Sequence, residues 1–412
     1  MKVSKSDLFV CILILFPICN IIGGIFGYYD ELIGLIGLGY LLASVITGHA
    51  NKAERIIFTL LAAITVLGIV SNICSHVSVG IFPIAVDVLW LWKIYAIFLL
   101  FREVSIKKYA NNIVNKLVVL AKICVVFVAL TAIVGQFADI GVSLPSAGNY
   151  GIFKPFGFFW HNAIQTGWLL FSCLLVLAMA NVPGKVFIRY LLIATLPLVL
   201  TFSSLVYCWL VAEVALLLVL KDKKRFHLIY LLVIAVVVVL FTINDVRSYL
   251  LSDTSVRMLV IRYAIVTANR FAPLGSGFAT YGSDMAARYY SPLYVEYGWS
   301  STWALGKNSL FLNDNFLASV LGQFGWVGLV LYIALLGYLL YSFSSTRYSK
   351  WLRGSLIATI ITIAVSMIGS ASAKSMMGCF VFAVLGLSNV GAAQSKGIDD
   401  EAIVPQKGVA NF

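Results

Sequence analysis

Hydrophobic residues are concentrated in long runs that follow one another along most of the chain, with short polar segments between them. An α-helix needs about 20 predominantly apolar residues to cross a hydrocarbon core of roughly 30 Å. The sequence therefore predicts an all-α polytopic membrane protein with one transmembrane domain over 1–391 and a polar tail over 392–412. The runs predict about twelve transmembrane helices, with approximate bounds 8–27, 31–48, 56–76, 84–101, 117–137, 159–180, 186–202, 203–220, 227–243, 315–344, 354–370 and 375–391.

The composition agrees with this pattern. Of the 412 residues, 61% are hydrophobic and 11% are charged, whereas a soluble domain carries about 25% charged residues. All seven cysteines fall inside apolar runs and form no CxxC pair, which is typical of small buried residues and not of a metal site or a disulfide framework. The sequence has no Walker, HExxH, CxxCH or GxSxG motif.

A net charge of +12 could indicate a nucleic-acid partner, but the basic residues alternate from one connection to the next. Most of them fall in the termini and in the loops of one side, whereas the short loops of the other side hold only Lys154 and Lys374. By the positive-inside rule, both termini are predicted to be cytoplasmic, and the charge indicates topology and not nucleic-acid binding.

One predicted outer connection, 244–313 between the ninth and tenth spans, is too long for a simple link. After Ser255 it predicts an amphipathic helix that ends before Pro273 and Gly275. The apolar face of this helix is predicted at Val256, Leu259, Val260, Tyr263 and Val266. A glycine-rich and aromatic stretch follows, GSGFATYGSDMAARYYSPLYVEYGW, whose tyrosines and tryptophan suit a membrane interface.

Arginine is in excess in this outer loop, against the usual trend for outer segments. The guanidinium fork binds phosphate oxygens bidentately, so a diphosphate lipid is a natural ligand. The alternative is that these residues solvate the loop or contact lipid headgroups. At about 100° per residue, Arg257, Arg262 and Arg270 lie on different faces of the predicted helix and are not expected to bind one ligand together. The basic residues of the loop are Arg247, Arg257, Arg262, Arg270, Arg288 and Lys307.

Two residues on this side could act as a base. Asp314 lies between the loop and the next predicted helix, and the alternative role of an aspartate there is to cap that helix. His161 lies at the outer start of the sixth span beside Trp160, where the alternative is a packed or hydrogen-bonded anchor.

Four further charges fall within the predicted spans. Lys122 is close enough to the inner face to extend to it, while Asp87, Lys93 and Glu213 are predicted to pair inside the bundle.

The segment 257–328, with the stretch quoted above followed by LNDNFLASVLGQFGWVGL, resembles bacterial O-antigen and capsular polysaccharide polymerases of the Wzy type, within the O-antigen ligase and polymerase superfamily. The resemblance implies a GT-C-like fold in the bacterial inner membrane. It implies transfer of a glycan from an undecaprenyl-diphosphate carrier to an acceptor hydroxyl on the outer face, with inversion and without metal or cofactor. The implied partners are the carrier-linked donor and acceptor, membrane lipids and a chain-length regulator, and no nucleic acid.

The resemblance also assigns roles to residues. Arg257 matches an arginine near the diphosphate, and Asp314 matches the position of the base. Gly275 and Gly277 match a GxG motif. Tyr281 and Tyr290 match the aromatic run that follows it.

The chain departs from the family pattern at one place. Many relatives carry an arginine after a serine at the outer end of the helix that corresponds to TFSSLV, whereas here Ser203 and Ser204 precede Leu205. A second diphosphate contact is therefore expected from another basic residue, the candidates being Arg262, Arg270, Arg288 and Lys154.

Three alternatives stay open at this point. An O-antigen ligase is the alternative with the most similar chemistry, although the missing arginine and the YYSPLY segment favour a polymerase. A lipid-linked oligosaccharide flippase or other transporter would be expected to show repeats and broken helices, and the sequence indicates neither. A scaffold of the assembly machinery would not explain the arginines.

Overall fold

The computed structural model describes residues 4–77, 79–138, 143–145, 153–155, 163–201, 203–221, 255–302, 304–307 and 309–392. These residues are mostly helical, and two short strands, β1 (Ser143–Pro145) and β2 (Phe153–Pro155), pair in antiparallel orientation. The α-helices are α1 (Lys5–Ile22), α2 (Tyr29–Ile46), α3 (Lys52–Ser75), α4 (Ile81–Ser105), α5 (Ala110–Val134), α6 (Ala163–Met179), α7 (Gly184–Leu200), α8 (Ser204–Lys221), α9 (Val256–Arg270), α10 (Asp284–Arg288), α11 (Pro292–Glu296), α12 (Phe316–Phe343), α13 (Lys350–Gly369) and α14 (Met376–Gly386).

Seven helical segments of the described chain are long and apolar enough to cross a membrane, which confirms an α-helical membrane protein. Shorter apolar helices occupy 164–179, 204–217 and 376–392. The predicted ninth span, 227–243, and the tail beyond 392 lie outside the described residues. The number of twelve spans therefore stays a prediction. The seven segments are Lys5–Ile22, Gly24–Ile46, Lys52–Ser75, Ile81–Ser105, Ala110–Val134, Phe316–Phe343 and Lys350–Gly369.

Small residues let α2 and α4 approach closely. A Cβ atom at Gly37 would lie 2.6 Å from the Ala96 carbonyl oxygen, and one at Gly34 would lie 2.8 Å from Lys93 Cγ. Close contact through glycine is a common way to pack membrane helices, because lipid provides no hydrophobic force between them. Here it brings the charged start of α2 beside Lys93.

The predicted pairing among Asp87, Lys93 and Glu213 is wrong, because each of these side chains faces a different neighbour. Lys93 Nζ lies 2.5 Å from Asp30 Oδ2 and 3.1 Å from Glu31 Oε1, both on the first turn of α2. Glu213 on α8 accepts a 2.5 Å hydrogen bond from the Ser355 hydroxyl of α13. Asp87 binds the long loop, as described below.

α12 is broken near its start. Gly325 has φ 64° and ψ −165°, which is not helical. Every residue but one from Phe316 to Phe324 is buried, and the longer part beyond the break has exposed apolar residues such as Val330. The sequence did not indicate this break, because both halves of the helix are apolar and hydropathy cannot distinguish them from one continuous helix.

The long loop has a hydrophobic core of its own. Tyr281, Tyr294 and Trp299 are buried there, and the rings of Tyr294 and Trp299 stack with centroids 5.0 Å apart. These three aromatic residues therefore pack the loop, and the prediction that they suit a membrane interface is wrong for them.

The predicted amphipathic helix is present as α9, but its buried face is rotated from the predicted one. Val260, Ala264 and Ala268 are buried, whereas Val266 is 49% exposed. The difference arises because α9 packs its small residues against α12 and the loop core.

Candidate functional site

A cavity of about 970 Å³ opens at one end of the helical bundle. It is formed where α1 and α13 end and where α2, α6, α8 and α14 begin, so these termini lie together. The long loop supplies one wall of the cavity. The charged and amide side chains that line it are Asn20, Asp30, Glu31, Lys93, Gln165, Arg257, Asp284, Asn313, Asp314 and Lys374.

Arg257 and Asp314, the two principal candidates from the sequence, form an ion pair in this wall. Arg257 donates from Nε and Nη2 to Asp314 Oδ2, at 2.9 and 2.6 Å. Both side chains are 27% exposed and line the cavity. The structure thus brings a guanidinium fork and a carboxylate together although they are far apart in the sequence.

Asp314 does not cap the following helix. The N-cap of α12 is Asn315, whose Oδ1 accepts a 2.9 Å hydrogen bond from the Ala318 N–H, and Asp314 ends the preceding 3₁₀ helix Leu310–Asn313. Asn315 also donates to the Ile368 carbonyl oxygen at 2.6 Å, which ties the start of α12 to α13. The capping alternative for Asp314 is therefore wrong by one residue, and its carboxylate is available to the cavity and to Arg257.

The electrostatics of Asp314 suit a proton acceptor. Partial burial raises the pKa of this carboxyl above its ordinary value, and the adjacent Arg257 opposes that rise. A higher pKa makes a carboxylate a stronger base while it is still ionised near neutral pH.

The other predicted arginines are not in the cavity wall. Arg270 pairs with Glu296 and packs over the Phe271 ring, and its side chain is 46% exposed. Arg288 lies 3.3 Å from Asp284 one helical turn away and is 62% exposed. Arg262 is exposed on α9. None of these three side chains lines the cavity in this conformation, and the expected second diphosphate contact stays a prediction.

Two predicted residues cannot be placed at the site. His161 lies outside the described residues. Lys154 belongs to β2, and its side chain lies outside the described part of the structure. Their assigned roles stay predictions.

Gly275 and Gly277 serve backbone packing. Gly275 and Gly277 have φ values of 82° and 96°, and the Gly277 N–H donates to the Gln323 carbonyl oxygen at 2.7 Å. A Cβ atom at Gly275 would lie 2.4 Å from the Gly325 nitrogen. Both glycines therefore hold the loop against α3 and the first part of α12, and neither is part of the cavity lining.

The predicted tyrosines also pack within the loop. Tyr281 is fully buried and donates its hydroxyl to the Val260 carbonyl oxygen. Tyr290 donates to the Leu305 carbonyl oxygen at 3.2 Å and packs edge-on against Tyr294. Neither tyrosine lines the cavity. Both pack behind the cavity wall that contains Arg257 and support it.

Asp87 anchors this loop from within the bundle. Its Oδ2 accepts hydrogen bonds from the Ala279 N–H at 2.9 Å and from Gln323 Nε2 at 3.2 Å. Asn72 on α3 binds both the N–H and the carbonyl oxygen of Phe278, at 2.8 and 2.9 Å. Buried polar groups thus satisfy the backbone of an irregular segment that packs among membrane helices, as such a segment requires.

The cavity also contains charges that the sequence did not single out as site residues. Asp30 and Glu31 neutralise Lys93 on the α2 side. Lys374, in the turn before α14, lines the cavity as well. The sequence offered one indication for Lys374, which is a basic residue in a short loop of the predicted outer side, where basic residues are rare.

Within the described ranges, no group of three histidine, cysteine, aspartate or glutamate side chains is placed to hold a metal ion. Comparison with known proteins gives no further guidance, since no protein-family model and no curated protein matches the chain.

Proposed function

We propose that this protein is a polysaccharide polymerase that joins oligosaccharide repeat units carried on a polyprenyl diphosphate, undecaprenyl diphosphate in bacteria. The observation that supports the proposal is the Arg257–Asp314 pair in the wall of a cavity of about 970 Å³ at the end of a membrane bundle. The pair combines a fork suited to phosphate oxygens with a carboxylate suited to accept a proton. The resemblance of 257–328 to Wzy-type polymerases supplies the substrate class.

In the proposed reaction, the acceptor hydroxyl oxygen forms a bond to the anomeric carbon of the donor glycan. The bond from that carbon to the diphosphate oxygen breaks, and the electron pair leaves with the lipid diphosphate. The hydroxyl proton passes to the Asp314 carboxylate. A single displacement of this kind inverts the configuration at the anomeric carbon, and it needs one base and positive charge at the leaving group.

This geometry requires Arg257 and Asp314 to separate when the donor binds. In a single displacement the attacking hydroxyl and the leaving oxygen lie on opposite sides of the reacting carbon, whereas Arg257 and Asp314 now touch at 2.6 Å. The donor diphosphate competes with Asp314 for the guanidinium fork, and its binding frees the carboxylate. The ion pair is thus the substrate-free state of the proposed site.

The proposed setting is the bacterial inner membrane with the cavity on the outer face. The connections α2–α3, α4–α5, α6–α7 and α12–α13 lie at the end of the bundle opposite the cavity, and they carry the basic loops. By the positive-inside rule that end is cytoplasmic.

An O-antigen ligase would use the same chemistry with a different acceptor. One observation, the break in α12, supports the transporter alternative, because broken helices form the substrate site in many transporters. Here, however, Gly325 and its neighbours are packed by the long loop and do not line the large cavity. The enzyme proposal is therefore favoured.

The test is glycan analysis of cells that lack the gene and carry a variant copy. We expect deletion to leave single repeat units, and Arg257→Lys to behave like the deletion although it keeps the charge, because an ammonium group cannot reproduce the fork. Arg189→Lys, an exposed site on α7 at the other end of the bundle, is the matched control and should give normal polymer. Long polymer from a stably inserted Arg257→Lys protein would contradict the proposal, and accumulation of carrier-linked polymer on deletion would indicate a ligase.

A further inference from the structure

Lys374 lines the cavity without a carboxylate partner. Its ammonium group lies 4.0 Å from the centre of the Phe316 ring, and no carboxylate oxygen of the described residues lies within ion-pair distance of it. The side chain is partly buried. The two other basic residues in the described lining of the cavity, Lys93 and Arg257, each have such a partner. The carboxylates of Asp87 and Asp284 act on this charge from beyond ion-pair distance. An ammonium group beside a cavity that has no ion-pair partner among the described residues is suited to an anionic ligand, because a low-dielectric environment strengthens the attraction.

The neighbouring groups are also donors. The Ser372 hydroxyl is buried and has no hydrogen-bond partner within the described chain, and Ser372 lines the cavity. The N-terminal residues of α8 and α14 line the same cavity through Ser203, Ser204 and Met376. Helix N-termini favour anions because their first N–H groups lack partners within the helix.

The turn that carries these groups is held rigidly over α14. A Cβ atom at Gly378 would lie 2.2 Å from the Ala373 carbonyl oxygen, so only glycine allows the turn to sit directly on the first turn of this helix. The Ser375 hydroxyl donates to the Ser372 carbonyl oxygen at 2.6 Å and also caps α14. The backbone that carries Ser372 and Lys374 is thus positioned at the cavity by contacts within the protein.

We infer that Lys374 and Ser372 form a phosphate-binding subsite. The ligand is identified by its chemistry as a phosphate group with free oxygens, and the inference rests on the proposed function in naming the carrier diphosphate as its source. A polyprenyl-diphosphate glycan carries negative charge on each phosphate, so Arg257 alone leaves part of that charge uncompensated. Lys374 is the second cation, in place of the arginines that were expected from the sequence.

The test is direct binding of inorganic diphosphate to the purified protein in phosphatidylcholine nanodiscs, measured by calorimetry. We expect Lys374→Met to weaken binding by about tenfold or more and Ser372→Ala by about two- to tenfold, the ranges for hydrogen bonds to charged and to neutral groups. Lys374→Arg should retain most of the affinity. Lys307→Met, at an exposed lysine of the long loop that does not line the cavity, is the matched control and should bind as the wild type does.

Wild-type affinity in a folded Lys374→Met protein, or failure of the wild type to bind diphosphate, would overturn the subsite. Neither result depends on polymer synthesis, so the proposed polymerase function would stand or fall separately on Arg257→Lys. Phosphatidylglycerol added to the nanodiscs distinguishes the sources. A lower diphosphate affinity of the wild type in these nanodiscs, with no further change in the residual affinity of Lys374→Met, would identify a lipid headgroup as the ligand of the subsite. An unchanged affinity of the wild type would exclude the headgroup and support the carrier diphosphate.

Discussion

At the scale of single residues, the charged side chains of the cavity differ in whether they have an ion-pair partner. Asp314 is held by Arg257, Lys93 is held by Asp30 and Glu31, and Lys374 has no carboxylate of the described residues within ion-pair distance. Asp314 was a candidate base from its residue type and its place at the end of the loop, whereas only the family resemblance distinguished Arg257 from the other arginines of the loop. Sequence reasoning missed Lys374 because a short loop has no periodicity from which the direction of a side chain could be inferred.

The two titrating groups predict a bell-shaped pH dependence of kcat/KM for polymerisation. Asp314 must be ionised to accept a proton, so activity should fall as the pH drops through its pKa, which burial raises. Lys374 must be protonated to bind phosphate, and burial lowers its pKa to about 8. Activity should therefore also fall as the pH rises through about 8.

Two variants assign the limbs of this profile. Lys374→Arg should move the alkaline limb to higher pH, because a guanidinium stays protonated far above that range. Asp314→Asn should abolish the acid limb and lower turnover by about 10² to 10⁴-fold, the usual contribution of a general base. Rates in proteoliposomes across the acid and alkaline range provide the measurement. An alkaline limb that is unchanged in Lys374→Arg would exclude Lys374 as its origin, and a wild-type rate for Asp314→Asn would make His161 the next base to test.

At the scale of elements, the cavity wall that contains Arg257 is supported by a contact between the backbone of the long loop and that of α12. Gly275 and Gly325 lie against each other, and a Cβ atom at Gly325 would lie 2.5 Å from the Pro273 carbonyl oxygen. Hydropathy predicted a helix over 315–344, and the glycines before it were visible in the sequence. Neither showed that the helix breaks at Gly325, where the loop packs against it. The capping alternative for Asp314 was likewise wrong by one residue, because Asp and Asn cap equally well and Asn315 is the N-cap of α12.

We predict that Gly325→Ala destabilises the protein by about 1–3 kcal/mol or more, since its φ and ψ are accessible essentially to glycine alone and the new Cβ would clash. Gly337→Ala is the control on the same helix, because no atom lies within 4 Å of the Cβ position there. Alanine should be tolerated at this position, as it has the higher helix propensity. Thermal unfolding of both variants in one detergent, with proteolysis of the long loop as a second measure, tests the difference. Equal stability of the two variants would mean that the Gly275–Gly325 contact does not hold the loop.

At the scale of the whole molecule, the class of protein could be predicted from the sequence and the internal contacts could not. Run length and composition predict membrane helices because the bilayer imposes both, and seven such helices are confirmed. Helix pairing depends on close packing through residues such as Gly34 and Gly37, which hydropathy does not register. This is why the charged residues Asp87, Lys93 and Glu213 were predicted to pair with one another and instead bind other groups.

The proposed outer-face reaction depends on the orientation of the bundle in the membrane. In a variant whose seven cysteines are replaced, single cysteines can be placed at exposed positions of the two ends. A membrane-impermeant thiol reagent applied to whole cells, with the outer membrane made permeable, should label Lys307→Cys and Arg288→Cys in the long loop. It should label Lys108→Cys and Lys350→Cys only after the inner membrane is opened, because Lys108 lies in the basic α4–α5 connection and Lys350 begins α13, both at the opposite end. The reverse pattern would place the Arg257–Asp314 cavity in the cytoplasm, where a polymerase of outer-face repeat units could not act, and the proposed function would then be wrong even if Arg257→Lys were inactive.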